Sequence, residues 1–144
     1  MIECLYVLYD AQCGLCSRVR LWMTDQPAYC AIDFIPAGSD LARRLFPELD
    51  TQENPSELIV VTDEGDVYRD DAAWTVCLWA MVEYRVWSQR IARGPLRGLA
   101  RKVWAMVSSN RIEISRTLAL RSDKEIASRL ENEPAAACEV HWNQ

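Results

Sequence analysis

The chain has 144 residues, half of them apolar, and a formal net charge of −5. At this length one domain removes roughly 68–70% of its surface from water on folding, so a complete core needs no disulfide or structural metal. A mean hydropathy of −0.14 with six tryptophans excludes a disordered chain. The acidic balance disfavours a nucleic-acid-binding protein.

The cysteine content bears on the compartment in which the protein works. The N-terminus lacks the basic and apolar regions of a signal peptide, and no apolar run reaches the roughly 20 residues that span a bilayer. We therefore expect a cytoplasmic protein without a transmembrane segment. Thiols are kept reduced in the cytoplasm, so the six cysteines indicate redox chemistry or metal binding rather than structural disulfides.

Apolar runs with strand character alternate with helical patterns through the first part of the chain. Strands that alternate with helices predict an α/β fold with a parallel sheet, and a hairpin at the end adds an antiparallel edge. The predicted elements are a strand over residues 2–9, a helix from Leu15 that ends before Pro27, a strand over 31–35, a short helix over 40–46 capped by Ser39, strands over 58–61 and 67–69, and a long helix through about Arg85 capped by Asp70 or Asp71.

The second part of the chain is predicted to be helical. Pro95 suits the first position of a helix, and a short last helix is expected over residues 123–130. We expect an α/β redox domain over residues 1–90 and a helical extension over 91–144 packed on the same single domain, with its last residues mobile. One apolar stripe is predicted on the longer helix, formed by Leu96, Leu99, Ala100, Val103, Trp104 and Val107 opposite Arg97, Arg101 and Lys102.

Charge is distributed unevenly along the chain. Residues 1–84 carry a net charge of −10, whereas residues 85–129 carry +8. The basic section can contact an anionic surface, an acidic partner or the acidic part of its own chain, or it can be a solvated helix face. The sequence leaves these alternatives open.

Two cysteines lie where the first predicted strand meets the first predicted helix. Cys13 and Cys16 enclose Gly14 and Leu15 in a Cys-x-x-Cys sequence. Unpaired backbone N–H groups and the helix dipole stabilise a thiolate there, and its pKa falls from about 8.5 into the range of about 3.5–7.5. Cys13 is therefore predicted to attack a substrate disulfide and Cys16 to resolve the mixed disulfide. The motif after a first strand is typical of thioredoxin-like redox proteins.

The residues around this pair resemble a known family. Residues 9–17, Tyr-Asp-Ala-Gln-Cys-Gly-Leu-Cys-Ser, resemble the Asp-x-x-Cys-x-x-Cys signature of the DCC family of thiol-disulfide oxidoreductases. Looser similarity follows in residues 58–69 and in Val-Ser-Ser-Asn-Arg at residues 107–111, so the resemblance covers most of residues 1–115. It implies a thioredoxin-like fold, the redox pair Cys13 and Cys16, and Asp10 as the signature acid.

Three further predictions concern the chemistry of this site. The carboxylate of Asp10 either relays the proton of Cys16 during resolution or shapes the loop as an Asx-type turn. We expect no cofactor. The expected partners are a disulfide-containing protein or small-molecule thiol and an electron donor or acceptor that the sequence does not identify.

Four residues are candidates for contacting the substrate. Gly14 and Leu15 lie between the two sulfurs, and glycine leaves the least steric hindrance beside the attacking one. Thioredoxin-like oxidoreductases usually place a cis-proline before the third core strand, facing the cysteines. Pro55, followed by Ser56, is the candidate for that position, although X–Pro bonds are cis in only about 5–6% of cases in folded proteins.

The remaining cysteines allow other interpretations. Cys4 and Cys77 lie in apolar elements and are expected to be buried, and Cys30 has no predicted role. Cys138 and His141 can join Cys13 and Cys16 in a Cys₃His zinc site. A third alternative is a non-catalytic interaction module of thioredoxin-like fold.

Overall fold

A four-stranded mixed sheet lies at the centre of the fold. The computed structural model describes residues 1–49, 57–93 and 96–132. Its elements are β1 (Cys4–Tyr9), α1 (Gly14–Thr24), β2 (Ala31–Pro36), α2 (Asp40–Leu45), β3 (Ile59–Thr62), β4 (Val67–Arg69), α3 (Asp70–Ala80), α4 (Arg85–Arg93), α5 (Leu96–Thr117) and α6 (Asp123–Asn132).

The order of the strands in the sheet is β2-β1-β3-β4. β1 and β2 are parallel, β3 is antiparallel to β1, and β3 and β4 form the predicted hairpin. The α/β, thioredoxin-like fold class is therefore confirmed, but the expectation that all three earlier strands are parallel is wrong for β3. Alternation of strands and helices does not fix the direction in which a strand enters the sheet, and the pairing of Leu5 with Thr62 and of Leu8 with Ile59 shows that β3 runs against β1.

The two faces of the sheet bury separate apolar clusters. Side chains alternate between the faces along a strand, so Leu5 and Val7 of β1 pack on one side and Leu8 on the other. The first cluster also contains Met23 of α1 and Cys77 of α3. Helices α1 and α3 therefore cover the face of the sheet that carries Leu5 and Val7. The cysteine pair lies at the start of α1.

The helix predicted after β4 through about Arg85 ends earlier than expected, and a second helix that the sequence pattern did not predict begins at Arg85. α3 ends at Ala80, and Met81 is extended and forms a β-bridge with Ala28 before α4 begins. The apolar pattern continues through the break because Met81 is itself fully buried. The predicted aspartate cap is also wrong, since the N-cap of α3 is Arg69, without a capping side chain, and Asp70 has a positive φ of 48°.

The helix α5 packs against three of the preceding helices. α5 contacts α1, α3 and α4, and the rings of Trp74 on α3 and Trp104 on α5 lie 4.3 Å apart. The predicted apolar stripe of α5 is only partly correct, because Leu99 and Val103 are 60% and 49% exposed. Lys102, predicted to lie opposite the stripe, follows Leu99 by three residues and therefore shares its side of the helix. Within the described residues, no helix has both the length and the apolar character needed to cross a bilayer.

Candidate active site

Cys13 is the N-cap residue of α1. Its extended backbone (φ −91°, ψ 116°) places the sulfur at the start of the helix, where Sγ accepts the backbone N–H of Cys16 at 3.2 Å. The backbone carbonyl of Cys13 accepts the N–H of Ser17 at 3.0 Å, which opens the helix. The predicted position of the cysteine pair at a strand-to-helix junction is thus the observed one.

The two thiols have opposite ionisation behaviour. The hydrogen bond donated by the Cys16 thiol, with that of its backbone N–H, lowers the pKa of Cys13 to about 6 against the opposing effect of burial. The same hydrogen bond to Cys13, followed by burial, raises the pKa of Cys16 well above its usual range. At neutral pH the arrangement therefore holds a Cys13 thiolate beside a protonated Cys16.

Asp10 connects this loop to α5. One carboxylate oxygen accepts the backbone N–H of Gln12 at 2.9 Å, which is the Asx-type turn expected as one of its two roles. The other accepts the guanidinium of Arg111 at 3.1 Å. Asp10 is 2% exposed and the Arg111 side chain 17%, so the pair is largely withdrawn from water.

The end of α5 and the connection that follows it pack against Cys13 and Gly14. Cys13 is completely buried, and its Sγ lies 3.9 Å from Ser115 Oγ. The Ser115 hydroxyl also accepts the backbone N–H of Leu15 at 2.9 Å. Beside it, the Leu120 carbonyl lies so close to Gly14 that only a residue without a side chain fits there.

A second set of contacts fixes α6 to α1 and β1. The carboxylate of Asp123 accepts the Tyr9 hydroxyl at 2.7 Å and the guanidinium of Arg20 at 2.9 Å. Its backbone N–H donates to Ser17 Oγ at 3.0 Å. Burial and the hydrogen bond to Asp123 raise the pKa of Tyr9, so its hydroxyl remains a donor. These contacts join the start of α6 to the loop that carries the cysteines.

Cys16 faces a different environment. It is half-buried and lines a cavity of about 130 Å³, whereas Cys13 is not among the lining residues. The cavity wall is mainly apolar and includes Leu15, one of the residues expected to contact substrate. Pro55 and Ser56 lie outside the described residues, and Glu57, which follows them, lines the same cavity.

Most of the chain matches a known protein family. The model of the DCC1-like thiol-disulfide oxidoreductases matches residues 7–117. The chain belongs to this family. Neither a curated protein nor a solved structure matches it. The match includes the cysteine pair, Asp10 and Arg111, and ends at the last residue of α5.

The other cysteines that the structure describes in this DCC1-like protein, Cys4, Cys30 and Cys77, have no comparable surroundings. Cys77 is fully buried as expected, and burial raises its pKa to about 12. Cys4 is only half-buried, with Sγ 3.8 Å from an Asp33 carboxylate oxygen, so the prediction of a buried apolar role is wrong for it. Cys30 is also half-buried.

The zinc alternative depends on two residues that the structure does not describe. Cys138 and His141 both lie outside the described residues. Among the residues that are described, no group of three or more histidine, cysteine or acidic side chains is arranged to hold a metal ion.

Several residues around the site could not be found from local patterns. Ser115, Leu120 and Asp123 lie about a hundred residues from the cysteines and carry no motif of their own. The only signal was the family resemblance at residues 107–111, which included Arg111 without assigning it a partner. The fold alone reveals that Arg111 binds Asp10.

Replacing Arg111 by methionine should lower the free energy of unfolding by about 3 kcal/mol, because removing one partner of a buried ion pair leaves an uncompensated charge. Denaturant unfolding measures the loss. In the Asp10→Asn/Arg111→Met double variant the charge is gone and part of the stability should return. If the two single losses simply add in the double variant, the residues are not energetically coupled.

Proposed function

We propose that the protein exchanges electrons with a disulfide-containing protein or small molecule through Cys13 and Cys16. The observation that carries this proposal is the position of the Cys13 sulfur at the N-cap of α1, where it accepts the backbone N–H of Cys16 at 3.2 Å and where the hydrogen bonds from Cys16 lower its pKa. A thiolate is the attacking species in disulfide exchange, and a thiol whose pKa lies near ambient pH attacks best.

The reaction has two exchange steps. The Cys13 thiolate attacks one sulfur of the substrate disulfide, forms a mixed disulfide and releases the other substrate sulfur as a thiolate. Cys16 then loses its proton and attacks the Cys13 sulfur, which releases the second substrate sulfur and leaves a Cys13–Cys16 disulfide. Two electrons pass to the substrate, and a dithiol donor in a reducing compartment such as the cytoplasm restores the pair. The same steps run in reverse when the pair starts oxidised.

Two neighbouring residues have proposed roles in these steps. The hydrogen bond to Cys13 and burial raise the pKa of Cys16 most, and the negative charge of Asp10 makes a smaller contribution in the same direction. We assign Asp10 the role of relaying the Cys16 proton in the second step. Because Cys13 is fully buried, the first step also requires the segment that covers it, which includes Ser115 at the end of α5, to move away from the sulfur.

Replacing Cys16 by serine should trap the mixed disulfide, since no thiol remains to resolve it. With an aromatic disulfide that releases a coloured thiolate, the wild-type protein should release two equivalents at this pair, Cys16→Ser one, and Cys13→Ser none. Mass spectrometry of the peptides assigns each adduct to its cysteine, which separates this pair from Cys4 and Cys30.

Retention of the two-equivalent release by Cys16→Ser would contradict the two-cysteine mechanism. Equal reactivity of Cys13 and an ordinary surface thiol, with no turnover of the disulfide, would instead support a non-catalytic interaction module. A zinc content of one equivalent in the purified protein would support the metal site.

A further inference from the structure

The helices α4 and α5 carry a concentration of positive charge that the proposed reaction does not use. Residues 85–110 contain six basic side chains and no acidic one. Some of these are occupied by the fold: Arg85 stacks on the rings of Tyr29 and Trp79 at 4.4 Å, and Arg101 pairs with Asp71 at 3.5 Å. Arg90 and Lys102 are exposed.

Large apolar side chains are exposed on the same two helices. Val86 and Trp87 of α4 are 57% and 54% exposed, and Leu99 and Met106 of α5 are 60% and 61% exposed. On α5, Leu99 and Met106 are seven residues apart and therefore share one side of the helix with Val103, which is also exposed.

Each helix places a cation among these apolar side chains. Arg90 follows Val86 by four residues and Trp87 by three, and its guanidinium lies 5.3 Å from the centre of the Trp87 ring. Lys102 follows Leu99 by three residues and precedes Met106 by four, so it lies on the same side of α5. We define the α4–α5 surface by Val86, Trp87, Arg90, Leu99, Lys102 and Met106.

We infer that the α4–α5 surface binds an anionic lipid bilayer and lies in its interface without crossing it. Helices that combine basic side chains with exposed tryptophan and aliphatic side chains bury the apolar groups at the headgroup boundary and pair the cations with anionic headgroups. Long basic side chains reach the headgroups while their methylene stems remain beside the apolar groups.

The exposed apolar side chains beside the cations of the α4–α5 surface favour an anionic bilayer over other anionic partners. A nucleic acid or an acidic peptide without apolar side chains satisfies the cations but leaves four large apolar side chains in contact with water or with polar groups. The net charge of −10 over residues 1–84 orients the molecule further, because an anionic surface repels the acidic part and attracts the α4–α5 surface.

Binding of the reduced full-length protein to large unilamellar vesicles tests the inference. One set of vesicles contains phosphatidylcholine alone, and the other contains phosphatidylcholine and phosphatidylglycerol in a 7:3 ratio. We expect the protein to float with the anionic vesicles only, and to be released at high ionic strength, because the Debye length shortens from about 10 Å at 0.1 M salt to about 3 Å at 1 M.

Two pairs of substitutions separate the charges from the apolar groups. Arg90→Gln/Lys102→Gln should weaken binding about fivefold for each charge removed. Leu99→Ser/Met106→Ser should weaken it at least about tenfold, because both side chains lose apolar area that the interface buries. These residues are exposed, so neither pair should alter the fold, which the far-ultraviolet circular dichroism spectrum verifies.

Helix α2 provides matched controls outside the surface. Arg43 and Arg44 are exposed there, as are Leu41 and Leu45 at 44% and 50%. Arg43→Gln/Arg44→Gln and Leu41→Ser/Leu45→Ser should leave vesicle binding unchanged. Disulfide-exchange activity of all four variants in the absence of lipid should equal that of the wild type, so the result does not depend on the proposed reaction.

Three outcomes would overturn the inference. The first is no binding to anionic vesicles, or binding that the α2 controls weaken as much as the α4–α5 variants. The second is binding to polyglutamate with equal affinity and no effect of Leu99→Ser/Met106→Ser, which would indicate an acidic protein partner. The third is a dimer in solution that these two substitutions dissociate, which would make the surface an interface between copies of the chain.

Discussion

Replacing Cys16 by alanine should raise the pKa of Cys13 from about 6 towards the 8.5 of an ordinary cysteine. The hydrogen bond from the Cys16 thiol is the largest cause of the lowered value, and alanine cannot donate one. At pH 6 the thiolate fraction should fall from about one half to a few per cent or less. Thiolate absorbance near 240 nm, with Cys13→Ser subtracted as the reference, measures the titration.

Cys16→Ser is the matched control for this experiment. A serine hydroxyl still donates a hydrogen bond to the Cys13 sulfur, so its effect on the pKa should be smaller than that of alanine. The backbone N–H of residue 16 remains 3.2 Å from the sulfur in both variants. If Cys16→Ala titrates near 6 like the wild type, backbone groups rather than the second thiol set the pKa of Cys13.

The same pKa makes stability depend on pH in a defined direction. The thiolate of Cys13 is favoured in the folded protein, whose pKa is about 6, over the unfolded chain, whose pKa is about 8.5. This contribution is complete above the unfolded pKa and is lost as the pH falls through about 6. The reduced wild-type protein should therefore gain stability from pH 6 to 8.5, and Cys16→Ala should gain less.

Replacing Gly14 by alanine should expose Cys13. The new Cβ would lie 2.3 Å from the Leu120 carbonyl oxygen and 2.7 Å from its carbon, both backbone atoms, so the connection between α5 and α6 must shift. Overpacking of this kind costs about 1–3 kcal/mol of stability. At pH 8, where the Cys13 thiolate predominates in both proteins, iodoacetamide should alkylate Cys13 at least about tenfold faster in the variant, because the contacts that cover the sulfur are broken.

Gly98→Ala is the control for this substitution. Gly98 lies within α5 and a Cβ there meets nothing within 4 Å, so alanine should stabilise that helix by up to about 1 kcal/mol. Alkylation of Cys13 should not change. Should Gly14→Ala fail to fold, Tyr9→Phe removes only the hydrogen bond to Asp123 and should accelerate alkylation to a smaller degree. Equal rates in wild type, Gly14→Ala and Tyr9→Phe would show that the α5–α6 connection does not limit access.

The sequence predicted the position of the cysteine pair because that position is determined locally. An apolar strand, a turn and a helical pattern follow one another within 24 residues, and the observed α1 ends at Thr24 as the later Pro27 required. The Ser39 cap of α2 is confirmed for the same reason, since its side chain accepts the N–H of Ala42 three residues away.

Features that depend on distant parts of the chain could not be predicted in this way. Periodicity shows which residues are apolar but not what they pack against. The apolar side chain of Met81 therefore fitted the helical pattern, although its extended backbone forms a β-bridge with Ala28. On α5 the pattern did not distinguish Trp104, which packs on α3, from Leu99, which is exposed. The burial of Cys13 likewise results from contacts across more than one hundred residues.

The burial of Cys13 limits two reactions that a low pKa favours. A thiolate at neutral pH is both a strong nucleophile and an easy target for peroxide, which converts it to sulfenic acid and further to irreversible products. Here the observed rate of either reaction is the intrinsic rate multiplied by the fraction of molecules in which the sulfur is uncovered. Leu120 packs against Gly14 and Asp123 binds Ser17, both in the first turn of α1, and Leu120 and Asp123 lie beyond the residues matched to the family. Substitutions at these two positions can therefore tune how often the thiolate reacts without altering the chemistry of the cysteine pair itself.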